Sequence, residues 1–430
     1  RKPDRHLSKS ASRSSGAYRP IMKPLEDIRV LSVTVFLAGP FLGMTLARFG
    51  AEVIKVEMPR VGDPIREIGP FTGPNGINHD RETEEDLSIR FLKRSEGVKS
   101  VTLNLKDPEG RRMFLELAKQ SDVVIENLSP GSMTRLGLGY EDVAAVNPGI
   151  IYCSIAGYGQ TGPYKDLPAH DHQIQAMSGI MDMNGAADGP PTRIGVFVGD
   201  LVTPLYAAYS ILGALRLKEK TGDGQYLDAS MIDTLATLMF MEPMELVLRD
   251  GQAVRSGNDS RNGVTGLYRL TDGDVIITVG SQARWKNLCE AVGAGDLLTD
   301  PRYATTEDRE THVEELRRRI QDGLGRFGCE EGIALLQNVG IPIARVRTLD
   351  ETMDDDHFRD RGTLRPMYRQ DSTEPVEPVI IPGFPVAFSG GTLPQLEGGA
   401  TLGHHNDEIY GRLLGLDPAE LADLKNSGIL

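Results

Sequence analysis

The most restrictive feature of this sequence is the alternation of short β-branched runs with helical stretches over its first 156 residues. Apolar runs bounded by polar residues predict five strands. These runs are residues 28–36 (IRVLSVTVF), 51–57 (AEVIKVE), 100–106 (SVTLNLK), 122–128 (DVVIENL) and 149–156 (GIIYCSIA). Strands that alternate with helices of ten or more residues connect through crossovers, which produce parallel sheets covered on both faces. The first half is therefore predicted to be a doubly wound α/β domain.

The second half predicts a smaller α+β domain. The pair Asp272-Gly273 lies between two strand-like runs within residues 268–279, which is typical of a β-hairpin, and helical spacing continues to about residue 337. Residues 371–403 contain five prolines and six glycines, so we expect a long surface connection there.

Charge and composition narrow the classes of partner. The formal charge is −14 at pH 7, and it becomes about −20 without the first 23 residues, which hold seven Lys or Arg and one Asp. Nucleic-acid binders usually carry the opposite sign, so we expect no nucleic-acid partner. No stretch approaches 18 apolar residues without a charge, so we expect a soluble protein without a membrane span.

Two further features bear on location. Cys153, Cys289 and Cys329 are too few and too far apart for a disulfide framework, which favours a reducing compartment. Residues 1–23 are rich in Arg and Ser and are predicted to be a flexible basic segment. We expect a cytoplasmic protein, with the mitochondrial matrix as the alternative if this segment is a transit peptide.

A glycine-rich turn follows the fifth predicted strand. Gly157, Gly159 and Gly162 match the G-x-G-x-x-G dinucleotide pattern, but Pro163 and Pro168 prevent a helix from opening at once to meet a pyrophosphate. A tight backbone turn near a ligand is the better interpretation. The sequence contains no P-loop, no G-x-S-x-G elbow and no H-E-x-x-H. The pair His404-His405 has no carboxylate cluster nearby, so we predict no metal site.

Asp171 begins a predicted helix directly after this turn. An acid at this position is favoured by the free N–H groups of a helix start, and that structural explanation is compatible with a nucleophile held ionised in a cleft. The neighbouring His170 and His172 are by default solvated or hydrogen-bonded side chains. Both interpretations of Asp171 stay open on the residues alone.

Several motifs together resemble the class III CoA-transferases and their relatives, the α-methylacyl-CoA racemases. The likeness runs from Leu25 to the C-terminus. Its motifs are Ala38-Gly39-Pro40, residues 50–57 (GAEVIKVE) with Gly62-Asp63, residues 101–106 (VTLNLK), residues 122–127 (DVVIEN) with Pro130-Gly131, residues 157–163 (GYGQTGP), Asp171 with Gln175-Ala176, Asp200, and residues 221–225 (TGDGQ).

The resemblance implies a two-domain subunit whose chain returns from the small domain to the large one, and a homodimer of two interlocked rings. The implied division is a flexible segment 1–23, a large α/β CoA-binding and catalytic domain 24–225, a linker helix and small α+β domain 226–340, and a return linker with a C-terminal segment 341–430 packing on the large domain. The small domain would cover the site as a lid.

The resemblance also implies a mechanism in which Asp171 is the nucleophile. Attack of its carboxylate on an acyl-CoA thioester gives an acyl-aspartyl anhydride and CoA thiolate, and an aspartyl-CoA thioester then passes CoA to a carboxylic acid acceptor. The turn at Gly159 and Gln160 would stabilise the oxyanions through backbone N–H groups. The resemblance implies an acyl-CoA substrate, such as succinyl-CoA or another dicarboxylyl-CoA. It implies no permanently bound cofactor.

For CoA binding, the basic positions of the family match Lys106 and Arg135, which would pair with the phosphates. The sequence departs from the family at Met58, Val98 and Ser129, where basic residues are frequent. Arg60 or Arg66 would substitute for the cation missing at Met58. The predicted CoA-binding residues are Ala38, Gly39, Arg60, Arg66, Lys106, Asn127, Leu128 and Arg135.

Two alternatives remain. In the racemases a His before the equivalent of Asp171 and an Asp thirty residues beyond that His act as opposed bases on an α-proton, and this chain has His170 and Asp200. The motif from Gln175 to Gly179 together with Asn127 favours the transferases. A non-catalytic CoA-binding regulatory protein is the second alternative, against which the intact Asp171 and Asp200 argue.

Overall fold

The structure is a computed structural model that describes residues 21–241, 244–251, 255–259, 264–370 and 372–430. Residues 1–20 of the predicted basic segment 1–23 lie outside the described residues.

A six-stranded parallel sheet organises the first half of the chain. Its strands are β1 (Arg29–Val33), β2 (Glu52–Glu57), β3 (Lys99–Thr102), β4 (Val123–Glu126), β5 (Ile151–Ala156) and β6 (Gln225–Ser230). Their order is β3-β2-β1-β4-β5-β6, and every neighbouring pair is parallel. The five predicted strands are confirmed, each shorter than its apolar run. The prediction missed β6, because this edge strand (QYLDAS) has no continuous apolar run.

Helices cover both faces of this sheet, as the crossover pattern predicts. The helices that position the site are α1 (Ala38–Arg48), α2 (Asp171–Met177), α3 (Val198–Thr221) and α4 (Met231–Phe240). The remaining helices of this half are Ile89–Arg94, Pro108–Lys119, Ser132–Arg135, Tyr140–Val146 and Ile180–Met183, with a 3₁₀ turn at Pro64–Glu67. One core packs β1, β4 and β5 against α1 and α3, and a second packs the opposite face against Pro108–Lys119 and the C-terminal helices Asn406–Leu414 and Pro418–Asn426.

Helix α3 is long and apolar enough, by length and composition, to cross a membrane. It packs against α1, α4, β5 and β6, as the core helices of globular domains do. Its N-terminal turn lies beside Asp171, which gives the helix a place in the site described below.

A smaller unit follows, with a core of its own around Tyr268, Trp285 and Tyr303. Its sheet consists of Gly266–Leu270, Gly273–Ile277 and Ile343–Arg345, and the first two strands form the predicted hairpin. Its helices are Gln282–Ala291, Thr306–Thr311, Val313–Leu324 and Cys329–Asn338, with 3₁₀ turns at Gly295–Leu298 and Pro301–Tyr303. The helices Met244–Asp250, Leu349–Met353 and Asp356–Asp360 lie on either side of it in the chain. The four-segment division of the chain stays a prediction.

The expectation of a long surface connection, rather than a packed element, over residues 371–403 is wrong in its first part. Pro375–Pro382 is a strand that pairs antiparallel with Leu364–Tyr368. Val376 and Ile381 are buried there with Leu92 and Met367, and Leu87 of the short strand Leu87–Ser88 packs against them. That strand pairs with Phe71–Gly73, which also pairs with Gly76–Asn78. Burial of these β-branched side chains outweighs the prolines, which an edge strand tolerates.

Candidate active site

The site lies where the sheet order reverses, between the carboxyl ends of β1 and β4. In open parallel sheets the loops on either side of such a reversal diverge and leave a crevice. Asn127 joins the two loops, because its Oδ1 accepts the N–H of Val35 at 2.8 Å and its Nδ2 donates to the Val35 carbonyl at 3.0 Å. Gly39 has no room for a side chain, since a Cβ would lie 2.5 Å from Thr34 and 2.8 Å from the Asn127 amide oxygen.

Two adjoining cavities open at this edge. The smaller, about 400 Å³, is lined by the ends of β1 and β2 and by Lys106, Leu128 and Arg135. The larger, about 990 Å³, continues past Val35, Leu128 and Arg135, which line both cavities, to Asp171. The predicted residues that line the larger cavity are Ala38, Asn127, Leu128, Arg135, His170, Asp171 and Asp200.

Asp171 is 2% exposed, and its hydrogen-bond donors among the described residues are all uncharged. Its Oδ1 accepts the N–H of Gly199 at 2.6 Å and that of Asp200 at 3.3 Å, and its Oδ2 accepts from Gln175 Nε2 at 2.6 Å. The two N–H groups belong to the first turn of α3, where they have no partner within the helix. Three donors leave one lone-pair direction of Oδ2 free, so the carboxylate is fixed in place while one oxygen can still attack a substrate.

Gln175 is in turn fixed by its surroundings. Its Oε1 accepts the N–H of Ile194 at 2.9 Å, and its Nε2 also donates to the carbonyl of Val196 at 3.1 Å. These two bonds determine the orientation of the amide, so the NH₂ group faces Asp171. Gln175 entered the sequence interpretation only as a family motif, and its contact with Asp171 depends on the loop before α3, which no local pattern reveals.

Asp200 is a second carboxyl group beside the first. Burial and the charge of Asp171 raise the pKa of Asp200 to about 6, although the positive charge of Arg94 acts in the opposite direction. Two neighbouring carboxyl groups in a partly desolvated cavity resist being ionised together. Asp200 therefore changes its charge near neutral pH.

His170 borders the larger cavity as an exposed side chain. Its backbone caps α2, because its N–H donates to Gln173 Oε1 at 3.1 Å. The neighbouring His172 contacts Phe197 edge to face, with ring centroids 5.6 Å apart. Asp171, His170 and Asp200 thus surround one cavity.

The glycine-rich turn lies behind this cavity. Gly159 adopts a φ of 79°, which favours glycine, and the N–H of Gln160 donates to both carboxylate oxygens of Asp228, at 3.1 and 2.9 Å. Gly157 and Tyr158 line the larger cavity, whereas Gly159 and Gln160 belong to neither lining. The oxyanion role assigned to these two residues stays a prediction, and in this conformation the Gln160 N–H is already bonded.

The predicted phosphate-binding cations are in different environments. Lys106 and Arg135 are exposed at the rim of the smaller cavity. Arg60 is exposed outside both linings. Arg66 is buried in a bidentate pair with Glu57, at 2.8 and 2.7 Å, and lies 3.5 Å from the centre of the Phe91 ring. Of these four side chains, the rim pair is placed to meet a ligand, while Arg66 is occupied within the protein.

Sequence reasoning missed three cations of the larger cavity. Lys165 pairs with the adjacent Asp166, and Arg90 and Arg94 lie on the short helix Ile89–Arg94. The run Arg90, Lys93, Arg94 is visible in the sequence, but most such runs are solvated surface. Its proximity to Asp171, more than seventy residues away, arises from the tertiary fold.

Comparison with known proteins gives concordant matches. The sequence profile of CoA-transferase family III matches residues 25–406. The chain is 34% identical to the succinyl-CoA–D-citramalate CoA-transferase of Chloroflexus aurantiacus, over 95% of this chain and 98% of that protein. It is 32% identical to the succinyl-CoA:glutarate CoA-transferase of Mus musculus, over 95% of this chain and 91% of that protein. A crystal structure of a CAIB/BAIF family protein from Brucella suis superposes with a TM-score of 0.79 at 32% identity, covering 91% of this chain and 100% of that one.

Proposed function

The chain belongs to CoA-transferase family III and is a CoA-transferase, and from this premise we propose that it moves CoA between two carboxylic acids by way of covalent intermediates on Asp171. The observation that carries the proposal is the Asp171 carboxylate, 2% exposed at the wall of the larger cavity and held by Gln175, Gly199 and Asp200. A carboxylate suits this chemistry because its anhydride and thioester are both reactive enough to pass the acyl group or CoA onward.

The proposed reaction conserves charge at each step. Asp171 Oδ2 attacks the acyl carbon of the donor thioester, the C–S bond breaks, and an acyl-aspartyl anhydride and CoA thiolate form. The thiolate attacks Cγ of Asp171, which gives the aspartyl-CoA thioester and releases the donor acid as a carboxylate. The acceptor carboxylate attacks the same Cγ, the thiolate leaves again, and it attacks the acceptor's carbonyl carbon. Acceptor-CoA is released, the Asp171 carboxylate is restored, and no net proton is transferred.

The two cavities support a placement of CoA. Lys106 and Arg135 at the rim of the smaller cavity would pair with the nucleotide phosphates. The pantetheine arm would pass Val35 and Leu128, which line both cavities, and bring the thioester to Asp171. CoA is a substrate in this proposal, and the family resemblance implies no resident cofactor.

The substrate class proposed is a dicarboxylic acid, with succinyl-CoA as the donor. Its support is the activity for which the two relatives are named, CoA transfer between succinyl-CoA and D-citramalate or glutarate. Positively charged Arg90 and Arg94 in the larger cavity are compatible with a second carboxylate.

We also propose a homodimer. The support is an apolar surface along α3 and α4, where Leu205, Tyr209 and Phe240 are exposed together with Met241 just beyond α4. Exposed apolar patches of this kind mark protein interfaces. Analytical ultracentrifugation tests this, since a monomer at micromolar concentration would contradict it.

Proton transfer at the α-carbon is the second candidate. His170 and Asp200 line the same cavity, and the pKa of Asp200, about 6, suits a group that accepts and returns protons near neutral pH. In that reaction Asp171 would form no covalent bond.

Peptide mass spectrometry distinguishes CoA transfer through Asp171 from proton transfer at the α-carbon. The protein is mixed with succinyl-CoA, glutaryl-CoA or a branched acyl-CoA in deuterated buffer, quenched with hydroxylamine and digested, and an Asp171→Asn variant is the control. We expect a hydroxamate on Asp171 with succinyl-CoA and none at the matching peptide of the variant. An unmodified Asp171 with deuterium at the α-carbon of the branched acyl group would overturn the transferase mechanism in favour of His170 and Asp200.

A further inference from the structure

One cation beside the reacting carboxyl group makes no ion pair with any of the described residues. Arg94 lines the larger cavity with Asp171 and Asp200 and is only partly exposed. Its Nη1 donates to the carbonyl of Phe36 at 3.1 Å, whereas its Nε is buried without a hydrogen-bond acceptor. Among the described residues no carboxylate oxygen lies within 4 Å of the guanidinium of Arg94.

The other buried arginines of this region are satisfied by the protein itself. Arg66 pairs with Glu57, and Arg48 and Arg365 share Glu96, each at 2.9 Å or less. Buried guanidinium donors are nearly always paired, because an unpaired N–H in a desolvated place is unfavourable. Arg94 differs from these arginines because its Nε has no acceptor. An acceptor group of a bound ligand would complete the hydrogen bonds of its guanidinium.

We propose that Arg94 binds the distal carboxylate of a dicarboxylic substrate whose other carboxyl group reacts at Asp171. This inference rests on the proposed function and deepens it by assigning the residue that selects dicarboxylates. A guanidinium binds a carboxylate through two parallel N–H bonds, and Nε with one Nη forms such a pair. Arg90 on the same helix also lines the cavity and adds positive charge without being the assigned ligand.

A bond between Arg94 and the distal carboxylate would also reduce charge repulsion in the cavity. The cavity already holds Asp171 and Asp200, so an entering dianion meets two acidic groups. The positive charge of Arg94 already acts on Asp200, where it opposes the effects of burial and of Asp171. A cation in this position offsets the repulsion and directs the distal carboxylate to one end of the cavity. A monocarboxylate would leave the Nε of Arg94 unpaired.

A phosphate of CoA is the competing ligand for this arginine. The smaller cavity, with Lys106 and Arg135 at its rim, does not include Arg94 among its lining residues. The carboxylate is favoured because Arg94 and the reacting Asp171 share one cavity, and the experiment must distinguish the two ligands.

The test compares succinyl-CoA with butyryl-CoA, whose four-carbon acyl groups differ in the distal carboxylate. The rate at which the Asp171 hydroxamate forms in the presence of hydroxylamine is measured by peptide mass spectrometry for the wild-type protein, Arg94→Gln and Arg94→Lys. Lys93→Gln serves as control because it removes a charge from the same helix outside both cavity linings. We expect the ratio of the second-order rate constants for hydroxamate formation, succinyl-CoA over butyryl-CoA, to fall on the order of 100-fold in Arg94→Gln. Arg94→Lys should restore part of this preference, and Lys93→Gln should keep it.

Several results would overturn the assignment. An equal loss with both thioesters in Arg94→Gln indicates a structural role or a contact with CoA, and a rise in the Kd for free CoA identifies the phosphate. A lost preference in Lys93→Gln indicates a general charge effect. If Arg94→Gln does not fold, binding of succinate against butyrate to Arg94→Lys and wild type by calorimetry decides, and equal affinities contradict the proposal. If the wild-type protein forms no hydroxamate with either thioester, the proposed function fails first.

Discussion

Two groups of buried carboxylates lie at the same edge of the sheet, and they differ in what compensates their charge. Glu57 and Asp63 are paired with cations of the protein, Arg66 and Lys55, at 2.7 and 3.0 Å. Asp171, within the part of the chain that the structure describes, accepts hydrogen bonds from uncharged donors. A carboxylate that a buried cation already pairs with is a poor nucleophile, whereas one that is held but not neutralised retains its reactivity. The first group stabilises the ends of β1 and β2, and the second is available for chemistry.

The contacts of Glu57 and Asp63 show that these two carboxylates stabilise the fold. Burial alone would raise the pKa of Glu57, yet the hydrogen bonds and charge of Arg66, together with Lys55, hold this pKa below its usual value. Lys55 also donates to the carbonyl of Thr34, and Asp63 Oδ1 accepts the N–H of Phe36. These bonds fix the loop after β1, which forms one wall of the crevice. The paired charges thus shape the site without entering its chemistry.

The largest effect is expected from removing the unpaired carboxylate. Asp171→Asn keeps the size of the side chain and loses the nucleophile, so CoA transfer should fall on the order of 10⁴-fold or more. A discontinuous assay that separates acyl-CoA esters measures the rate. Thermal unfolding should be lowered only moderately, because the new amide NH₂ would face a hydrogen-bond donor, either Gln175 Nε2 or the Gly199 N–H. The exposed Asp188, outside both cavities, gives the control Asp188→Asn. Substantial residual transfer in Asp171→Asn would contradict covalent catalysis at this residue.

Removing Arg66 from its ion pair with Glu57 should lower the stability of the protein. Arg66→Met leaves the Glu57 charge buried without its partner, and we expect the free energy of unfolding to drop by about 3–5 kcal/mol. Urea denaturation measures it. The double variant Glu57→Gln with Arg66→Met removes both charges and should recover part of the loss. Weakened CoA binding with unchanged stability would instead support the phosphate role predicted for Arg66.

A smaller effect is expected where the backbone approaches the nucleophile. In Gly199→Ala the new Cβ would lie 3.1 Å from Asp171 Oδ1 and 3.1 Å from Met231, so the carboxylate must shift, and kcat should fall about 10- to 100-fold. Gly213→Ala, on the same helix with open space around its Cβ, is the control and should be neutral or slightly stabilising. Equal kinetics of the two variants would exclude close packing as the constraint on Asp171.

The smallest effect concerns the pH dependence of stability. The pKa of Asp200 is raised from near 4 to about 6, so folding favours its protonated form. That contribution is fully present below pH 4 and is lost as pH rises through 6. Asp200→Asn, which cannot ionise, should therefore be more stable than wild type at pH 8, by up to about 3 kcal/mol, and equal to it at pH 4. Unfolding measured at both pH values tests this, and a constant difference would show that ionisation is not its cause.

Features that depend on residues close together in the chain were predictable from the sequence, whereas features that depend on distant contacts were not. Local periodicity determined five strands of the parallel sheet, the hairpin of the small unit and the helix start at Asp171, because each depends on residues close together in the chain. The motifs determined the family and pointed to Asp171. The proline and glycine content of residues 371–403 concealed a strand, since its burial comes from residues outside its own run, Met367 and the distant Leu92.

The tertiary structure alone decided which charged residues serve the fold and which face the cavity. Arg66 and Arg94 look alike in the sequence, yet one meets Glu57 across nine residues and the other points toward a cavity bordered by Asp171 and Asp200. The environment of Asp171 likewise depends on Gly199, 28 residues further along the chain. A residue's type and neighbours determine the chemistry available to it, but charge compensation and desolvation depend on contacts that exist only after the chain has folded.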